Sequence, residues 1–307
     1  MDILIQQIIN GLVLGSIYAL VALGYTMVYG IMGLINFAHG EVVMIGAMVA
    51  LTVIKLLASS NLPVFVVVLI ALVAAAAVCM AVGFTIERIA YRPLRRAPKL
   101  APLITAIGIS IVLQNLAMLI WGRNYHAFPP ILPTTDHEIF GATITTLQIA
   151  IVIIAALMMA GLIVLIDRTR LGRAMRATSE NPAIAQLMGV NINQIISFTF
   201  IIGSALAAVA GLMVSANYSI AHYYMGFMLG MKAFTAAVLG GIGNIAGAVL
   251  GGILLGLIES LGAGYIGDLT GGFLGSHYQD IFAFFVLISV LIFRPSGLIG
   301  EKVSERA

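Results

Sequence analysis

The sequence predicts an all-α polytopic membrane protein with about nine membrane helices, some broken or re-entrant, and two weakly similar halves. Hydrophobic residues make up 61% of the 307 residues, charged residues only 9%, and the mean hydropathy is +1.11. A water-soluble domain of this composition would expose a very large apolar surface. The single cysteine, Cys79, excludes an internal disulfide. We therefore expect residues 1–307 to form one transmembrane domain.

Eight apolar segments are long enough to enter the hydrocarbon core. They cover approximately residues 8–29, 42–57, 64–86, 100–120, 147–166, 195–214, 231–261 and 280–293. The seventh contains the glycine-rich run 240–244, and each interior helical glycine costs about 1 kcal/mol relative to alanine. It is therefore predicted to be two short helices or a re-entrant pair. Residues 1–3 lack the basic region of a cleavable signal peptide, so the first segment is expected to remain as a span.

The basic residues predict the orientation. Most of the 15 lysines and arginines lie in three segments: Arg88, Arg92, Arg95, Arg96 and Lys99; Arg168, Arg170, Arg173 and Arg176; and Arg294, Lys302 and Arg306. Because cytoplasmic loops of membrane proteins are enriched in Lys and Arg, these segments are predicted to be cytoplasmic. Residues 87–99 then form a cytoplasmic basic loop, the N-terminus is outside and the C-terminus inside. The net charge of +3 thus indicates topology and not nucleic-acid binding.

Residues 167–194 form the longest polar interruption of the chain, and they contain the signals for a short helix at 182–189. Asn181 is a favourable N-cap, Pro182 suits the first helical position and Gly189 can adopt the left-handed conformation that ends a helix. A helix of about two turns is marginal alone. The apolar stripe of Ile184, Leu187 and Met188 is therefore predicted to dock on a soluble partner.

A second polar interruption lies at residues 33–41 and contains Asn36, His39 and Glu41. In one interpretation this is a cytoplasmic turn in which Glu41 helps to cap the second helix. In the other it lies along a solute pathway, because the backbone N–H groups at a helix start favour an anionic ligand group. The sequence leaves both interpretations open.

Two patterns suggest close helix packing and an internal repeat. Glycines recur at every fourth position in two offset series, which are Gly243, Gly247 and Gly251, and then Gly252 and Gly256. Such small-residue ridges let helices approach closely in lipid. Residues 19–22 and 27–28 also align without gaps to residues 205–208 and 213–214, which is a faint similarity between the two halves.

Three segments together resemble the LivH-type permeases of branched-chain amino acid ABC importers. The first is residues 25–30 (YTMVYG) leading into 33–41 (GLINFAHGE). The second is residues 169–177 (TRLGRAMRA) running into 181–191 (NPAIAQLMGVN), which is similar to the cytoplasmic coupling loop of that family. The third is residues 232–243 (KAFTAAVLGGIG), which resembles its late glycine-rich motif.

The resemblance implies a permease subunit that moves branched-chain or other small apolar amino acids into the cytoplasm across a bacterial inner membrane. Its implied partners are a second homologous permease, two cytoplasmic ABC ATPases, a periplasmic or extracellular solute-binding protein and membrane lipid. The sequence contains no G-x-x-x-x-G-K-[ST], so ATP would be used by the partner subunits and this chain would bind no cofactor. Nor do candidate nucleophiles, acids and bases or metal ligands converge in the sequence, so no enzyme active site is expected.

Site predictions follow for both sides of the membrane. ATPase coupling is assigned to Arg173 and Arg176 and to the short helix with its flanks: Asn181, Ile184, Leu187, Met188 and Gly189. The substrate pathway is assigned to Asn36, His39 and Glu41, with Asn217, Tyr218 and Lys232 on the outer side. Lys232 has two interpretations, as a surface anchor or as the receptor of an amino acid carboxylate. Glu259 is expected near the headgroups or in an ion pair.

Two other functions remain open at this point. Close relatives within the ABC class carry urea or short amides, so the solute could be of that kind. The broken helices with His39, Glu41 and Lys232 nearby are also typical of an ion-driven secondary transporter that works alone.

Overall fold

The computed structural model describes residues 2–95, 97–98, 100–132, 135–139, 141–271 and 278–299. The predicted basic residues Arg96, Lys99, Lys302 and Arg306 lie outside the described residues. In chain order the helices are α1 (Asp2–Met32), α2 (His39–Leu57), α3 (Val64–Ile86), α4 (Arg92–Leu94), α5 (Leu100–Trp121), α6 (Thr146–Arg168), α7 (Arg170–Glu180), α8 (Pro182–Leu187), α9 (Ile192–Tyr218), α10 (Met225–Gly240), α11 (Ile245–Leu269) and α12 (Gln279–Phe293).

Nine of these helices are apolar and form the membrane bundle. Seven of them, in the described residues, are long and apolar enough to cross a membrane: α1, α2, α3, α5, α6, α9 and α11. The shorter apolar helices are α10 and α12. The all-α polytopic prediction is confirmed. The glycine-rich seventh segment is divided at residues 241–244, where Gly241 (φ 109°) and Gly243 (φ 98°) adopt conformations that other residues rarely take. Both resulting helices extend further than predicted.

Helix α1 lies at the centre of the bundle and packs against α11, α9 and α10. The two predicted glycine series face different neighbours. A Cβ atom added to Gly256 would lie 2.3 Å from the backbone nitrogen of Gly15 in α1, and one added to Gly251 would lie 2.1 Å from the carbonyl oxygen of Ala236 in α10. Side chains at these positions would hold the backbones apart. Helix packing therefore accounts for both glycine series except Gly243, which lies in the break between α10 and α11.

Two antiparallel strand pairs cover one end of the bundle. Strand β1 (His126–Ala127) pairs with β4 (Ile220–Ala221), and β2 (Asp136–Ile139) pairs with β3 (Ala142–Thr145). At the other end, Arg95 donates to Asn193 Oδ1 over 2.5 Å, and Ser179 donates to the carbonyl oxygen of Gly30 over 2.5 Å. The basic segments after α3 and after α6 therefore meet at one end of the molecule.

The predicted loop 87–99 is wrong in its first half, because the chain stays helical through Leu94. A π-helical turn, Glu87–Tyr91, continues α3 directly into α4. The carboxylate of Glu87 is buried and receives hydrogen bonds from Arg92 and Arg95. The basic side chains thus fold back onto an acidic group of their own segment, which stabilises the helical extension.

The interruption 167–194 contains two helices where the sequence predicted one. Thr169 is the N-cap of helix α7, and its hydroxyl accepts a hydrogen bond from Gly172 N over 3.0 Å. It buries Gly172, Met175 and Thr178, which recur every third residue. Helix α8 ends at Leu187 and not at 189 as predicted. The left-handed Gly189 (φ 86°) follows it and ends the turn, as expected.

The predicted break at residues 33–41 is present between Met32 and His39, with Gly33 in the left-handed region (φ 62°). A Cβ atom added to Gly24 would lie 2.1 Å from Nε2 of His39. Helix α2 therefore begins beside Gly24, two turns before the end of α1. The chain turns back into the bundle after α1, which explains why the first residues of α2 are buried.

We predict that Gly256→Val lowers the stability of the purified protein, because the new side chain must separate α11 from α1. Overpacking of this kind typically costs about 1–3 kcal/mol. The measurement is the unfolding temperature in detergent. Gly161→Val in α6 is the matched control, since no atom lies within 4 Å of its added Cβ. Equal unfolding temperatures for the two variants would contradict the predicted contact.

Candidate functional site

An ionic network joins four helices in the interior of the bundle. Lys232 of α10 lies 2.6 Å from Glu259 of α11 and 2.6 Å from Asp280 of α12, measured from Nζ to the nearest carboxylate oxygens. Tyr18 of α1 donates to Glu259 Oε2 over 3.0 Å. The side chain of Glu259 is fully buried, and that of Lys232 is 9% exposed. Charges in this setting require partners, because an isolated ion in a low-dielectric interior is strongly unfavourable.

The network rules out one of the two interpretations of Lys232, and it shows which of the two expected environments Glu259 has. A surface anchor is wrong for Lys232, because the residue is buried and paired. Glu259 is in an ion pair, which was one of its two expected environments. Two carboxylates share one ammonium group, so the network carries one excess negative charge. Asp280, with 36% of its side chain exposed, is the member most accessible from outside.

A cavity of about 410 Å³ opens onto this network. Its polar wall contains Tyr18, Lys232, Asp280 and Tyr218, and the remaining wall is largely apolar, with residues such as Leu14, Ile17, Val214, Met228 and Leu229. His222 and Tyr125 also line the cavity, and their rings stack with centroids 4.2 Å apart. Small-molecule sites are typically concave, largely apolar and equipped with a few fixed polar groups. This cavity has those properties.

Two of the three residues predicted for the outer part of the pathway line the same cavity. Tyr218 and Lys232 line the cavity. Asn217 is half-buried on α9 and is outside the cavity lining as described. Sequence reasoning did not assign Tyr18 or Asp280 to the site. An ionisable residue within an apolar helix was the available signal for both of them.

The inner residues of the predicted pathway form a separate cluster at the start of α2. Asn36 Oδ1 accepts hydrogen bonds from Ala38 N and from the hydroxyl of Tyr91, each over 3.2 Å. His39 lies between Gly24 and the ring of Tyr25, whose centroid is 5.1 Å from that of His39. Asn36 therefore shapes the turn, and His39 fills the space that Gly24 leaves open.

Glu41 connects α2 to α5. Its Oε1 atom accepts hydrogen bonds from Ser110 Oγ over 3.1 Å and from Gln114 Nε2 over 2.7 Å. The predicted capping role is wrong, because no side chain caps α2 and the carboxylate points to α5 instead. Ser110 and Gln114 were missed from the sequence. They are four residues apart, and such residues share one helix face.

The segment 167–194, predicted to be a coupling loop, exposes the apolar stripe of its short helix. Asn181 Oδ1 accepts a hydrogen bond from Ile184 N over 3.1 Å, which confirms the N-cap. Ile184, Leu187 and Met188 are 58%, 85% and 80% exposed, whereas Ala185 is buried against the protein. This is the arrangement expected of a short helix that docks on another subunit.

The two arginines assigned to coupling differ in their surroundings. Arg176 donates to the carbonyl oxygen of Ile166 over 2.7 Å and to Asp167 Oδ1 over 2.9 Å, so it ties α7 to the end of α6. Arg173 is exposed. A partner could therefore reach Arg173 directly, whereas Arg176 also shapes the loop.

We predict that Lys232→Met destabilises the protein by about 3–5 kcal/mol, because it leaves a buried carboxylate unpaired. Lys232→Met/Glu259→Met should recover most of this loss, since the fully buried charge is then removed as well. The measurement is the unfolding temperature in detergent. Lys55→Met is the control, because Lys55 is exposed on α2. An unchanged unfolding temperature for Lys232→Met would contradict the importance of the network.

Comparison with known proteins identifies the family. The family model described as "Branched-chain amino acid transport system / permease component" matches residues 7–291. The permease BraD of Pseudomonas aeruginosa, from a high-affinity branched-chain amino acid transport system, is 49% identical over 98% of this chain and 97% of its own. LivH of Escherichia coli K12, described in the same words, is 45% identical with the same coverage.

A more distant relative extends the comparison beyond these bacteria. The probable branched-chain amino acid transport permease LivH of Methanocaldococcus jannaschii is 30% identical over 96% of this chain and 92% of its own. The family model thus reaches all nine apolar helices, the segment 167–194 and the cavity at Lys232. This chain belongs to the family of permease components of branched-chain amino acid transport systems.

Proposed function

We propose that this chain is the membrane-spanning permease subunit of an ATP-driven ABC importer that moves branched-chain or other small apolar amino acids into the cytoplasm. The observation that carries the proposal is α8, a capped helix whose apolar stripe is exposed at the end of the molecule where the basic segments meet. Family membership supports the same function.

The exposed apolar stripe of α8 supports the proposal that a partner subunit docks there and drives the transport cycle. Burying Leu187, Met188 and Ile184 in a groove would contribute about 1.5–3 kcal/mol each, before the cost of association is subtracted. In this proposal the groove belongs to one of two cytoplasmic ATPases, which hydrolyse ATP. A second, homologous permease completes the channel, and a periplasmic or extracellular binding protein delivers the solute.

The proposed orientation follows from charge. Arginines cluster at the end of the bundle that carries α7 and α8, and positive loops favour the cytoplasm. The C-terminus is then cytoplasmic, whereas the paired strands β1 and β4 and the N-terminus face outside, across a bacterial inner membrane. The outer cavity is thus on the side from which a binding protein would deliver its solute.

The chemistry of the outer cavity suits a zwitterion with an apolar side chain. Its polar wall offers the carboxylate of Asp280 for an ammonium group, and the cation of Lys232 would bind a solute carboxylate by exchanging its contact with Asp280. The apolar wall, with Val214, Met228 and Leu229, suits a branched aliphatic side chain. Charge-assisted hydrogen bonds at one end and apolar burial at the other would distinguish such a solute from urea.

We predict that Leu187→Asp abolishes solute-dependent ATP hydrolysis by the assembled importer while the permease still inserts and folds. A charge buried in the partner groove would oppose docking. The measurements are ATPase rate and co-purification of the ATPases. Gln186→Asp is the matched control, because it adds the same charge to the same helix outside the apolar stripe. Uptake at the wild-type rate in Leu187→Asp would refute α8 as the coupling helix.

We also predict that reconstituted vesicles take up leucine, isoleucine or valine only with the ATPases, the binding protein and ATP present. Radiolabelled solute measures the uptake, and vesicles without ATP serve as the control. Uptake by this chain alone, driven by a proton or sodium gradient, would favour the secondary transporter. ATP-dependent uptake of urea without the amino acids would favour the amide permease.

A further inference from the structure

A basic groove lies between the cytoplasmic end of α3 and the start of α9. Its volume is about 560 Å³. Arg88, Arg92 and Asn193 line its polar end, whereas Phe198 and Ile201 line its apolar end. Nothing in the proposed transport cycle uses this groove. The groove thus has a polar end and an apolar end, as a phospholipid has a polar headgroup and apolar acyl chains.

The groove carries excess positive charge. Glu87 lies below its floor, fully buried, and accepts hydrogen bonds from Arg92 over 3.0 Å and from Ser197 Oγ over 2.7 Å. The same carboxylate also pairs with Arg95. One negative charge therefore faces two guanidinium groups. Arg88 adds a further cation, and the described residues that line the groove include no acidic side chain.

Arg88 contacts an aromatic ring, and among the residues that the structure describes it forms no ion pair. Its guanidinium carbon lies 5.7 Å from the centroid of the Phe84 ring, also part of the groove. A cation over an aromatic face is attracted by the ring quadrupole. This contact positions the guanidinium without neutralising it, so its charge stays available for an anion.

The surroundings of the groove suit lipid. Helices α3 and α9 are both long and apolar enough to span the membrane. Phe198, on the groove side of α9, is 46% exposed, and Ile89 beside Arg88 is 72% exposed. The cations are at the end of the molecule assigned to the cytoplasm. Basic pockets between transmembrane helices on that side are suited to anionic headgroups.

We propose that this groove binds an anionic phospholipid of the inner leaflet. The headgroup phosphate accepts hydrogen bonds from Arg88, Arg92 and Asn193, and an acyl chain runs along Phe84 and Phe198. The occupant is a lipid and not free phosphate, because the apolar half of the groove gives a phosphate ion nothing to bind. The cytoplasmic placement of the groove is shared with the proposed function, but lipid binding itself does not require transport.

The site adjoins the coupling loop. Arg92 and Asn193 also line a second cavity, of about 650 Å³, together with Gln186 and Gly189. Asn193 receives a further hydrogen bond from Arg95. A lipid phosphate on Arg92 therefore lies one side chain away from the surface next to α8. Lipid binding is expected to reduce the conformational mobility of this end of the coupling loop.

The test measures lipid binding to the full-length permease by native mass spectrometry in neutral detergent. We expect phosphatidylglycerol to bind more tightly than phosphatidylcholine. Arg88→Gln should weaken phosphatidylglycerol binding about fivefold, because one basic residue near an anionic headgroup contributes about 1 kcal/mol. Arg168→Gln is the matched control, since it removes one exposed positive charge from the same end of the bundle, away from the groove.

Four further outcomes decide the proposal. Equal loss of phosphatidylglycerol in Arg88→Gln and Arg168→Gln would overturn it, because surface charge alone would then explain binding. Complete displacement by inorganic phosphate at matched ionic strength would show a phosphate site and overturn the lipid assignment. Loss of the lipid when the ATPases are added would assign the groove to a protein partner. Retention of the lipid in the assembled complex supports the proposal, and this readout is independent of uptake.

Discussion

Close backbone contact between α1 and α11 is the constraint on which the rest of the structure depends. Lipid tails are as apolar as leucine side chains, so helices in a membrane gain little free energy by burying apolar side chains against each other. Small residues that allow close approach of the backbones therefore determine which helices pack together. Gly252 and Gly256 place α11 against Ala19 and Gly15 of α1. Glu259 follows Gly252 and Gly256 by seven and three residues, so it lies on the same face and meets Tyr18. Rotating α11 by one residue would turn this carboxylate away from Tyr18.

The same register places the second face of α11 against α10. Gly247 and Gly251 receive the backbone of α10 around Gly240 and Ala236. Lys232 precedes Ala236 by one turn of α10 and lies 2.6 Å from Glu259. Glycine spacing thus determines which charges meet. The buried network is a consequence of helix packing, and it adds specificity because a slipped register would leave a carboxylate unpaired.

Local signals in the sequence were sufficient to predict much of the fold. Apolar length predicted the spans, the glycines at 241 and 243 predicted the division of the seventh segment, and Asn181 predicted the start of α8. The burial of Lys232 was not predictable in this way, because its partner Glu259 is 27 residues away and Tyr18 is 214 residues away. The contacts of Glu41 with Ser110 and Gln114 similarly span 69 and 73 residues. Helix α7 was missed because its buried face includes Gly172 and Thr178, and glycine and threonine have low helix propensity.

The arginines at the end of the bundle that carries α7 and α8 show what the three-dimensional arrangement adds to a charge pattern. In the sequence they form two clusters that predict orientation, and only Arg173 and Arg176 are also assigned a contact with a partner. In the structure Arg92 and Arg95 share the buried carboxylate of Glu87, and Arg176 ties α7 to the end of α6. These residues hold the helix ends and the coupling loop in place. Arg88, which rests on Phe84, and the exposed Arg173 have no carboxylate partner among the described residues. Their charges are not neutralised by the described residues, and the same holds for the exposed Arg168 and Arg170. Arg88 differs from these other arginines because it lines the groove between α3 and α9, and it is therefore the one best suited to contact a lipid.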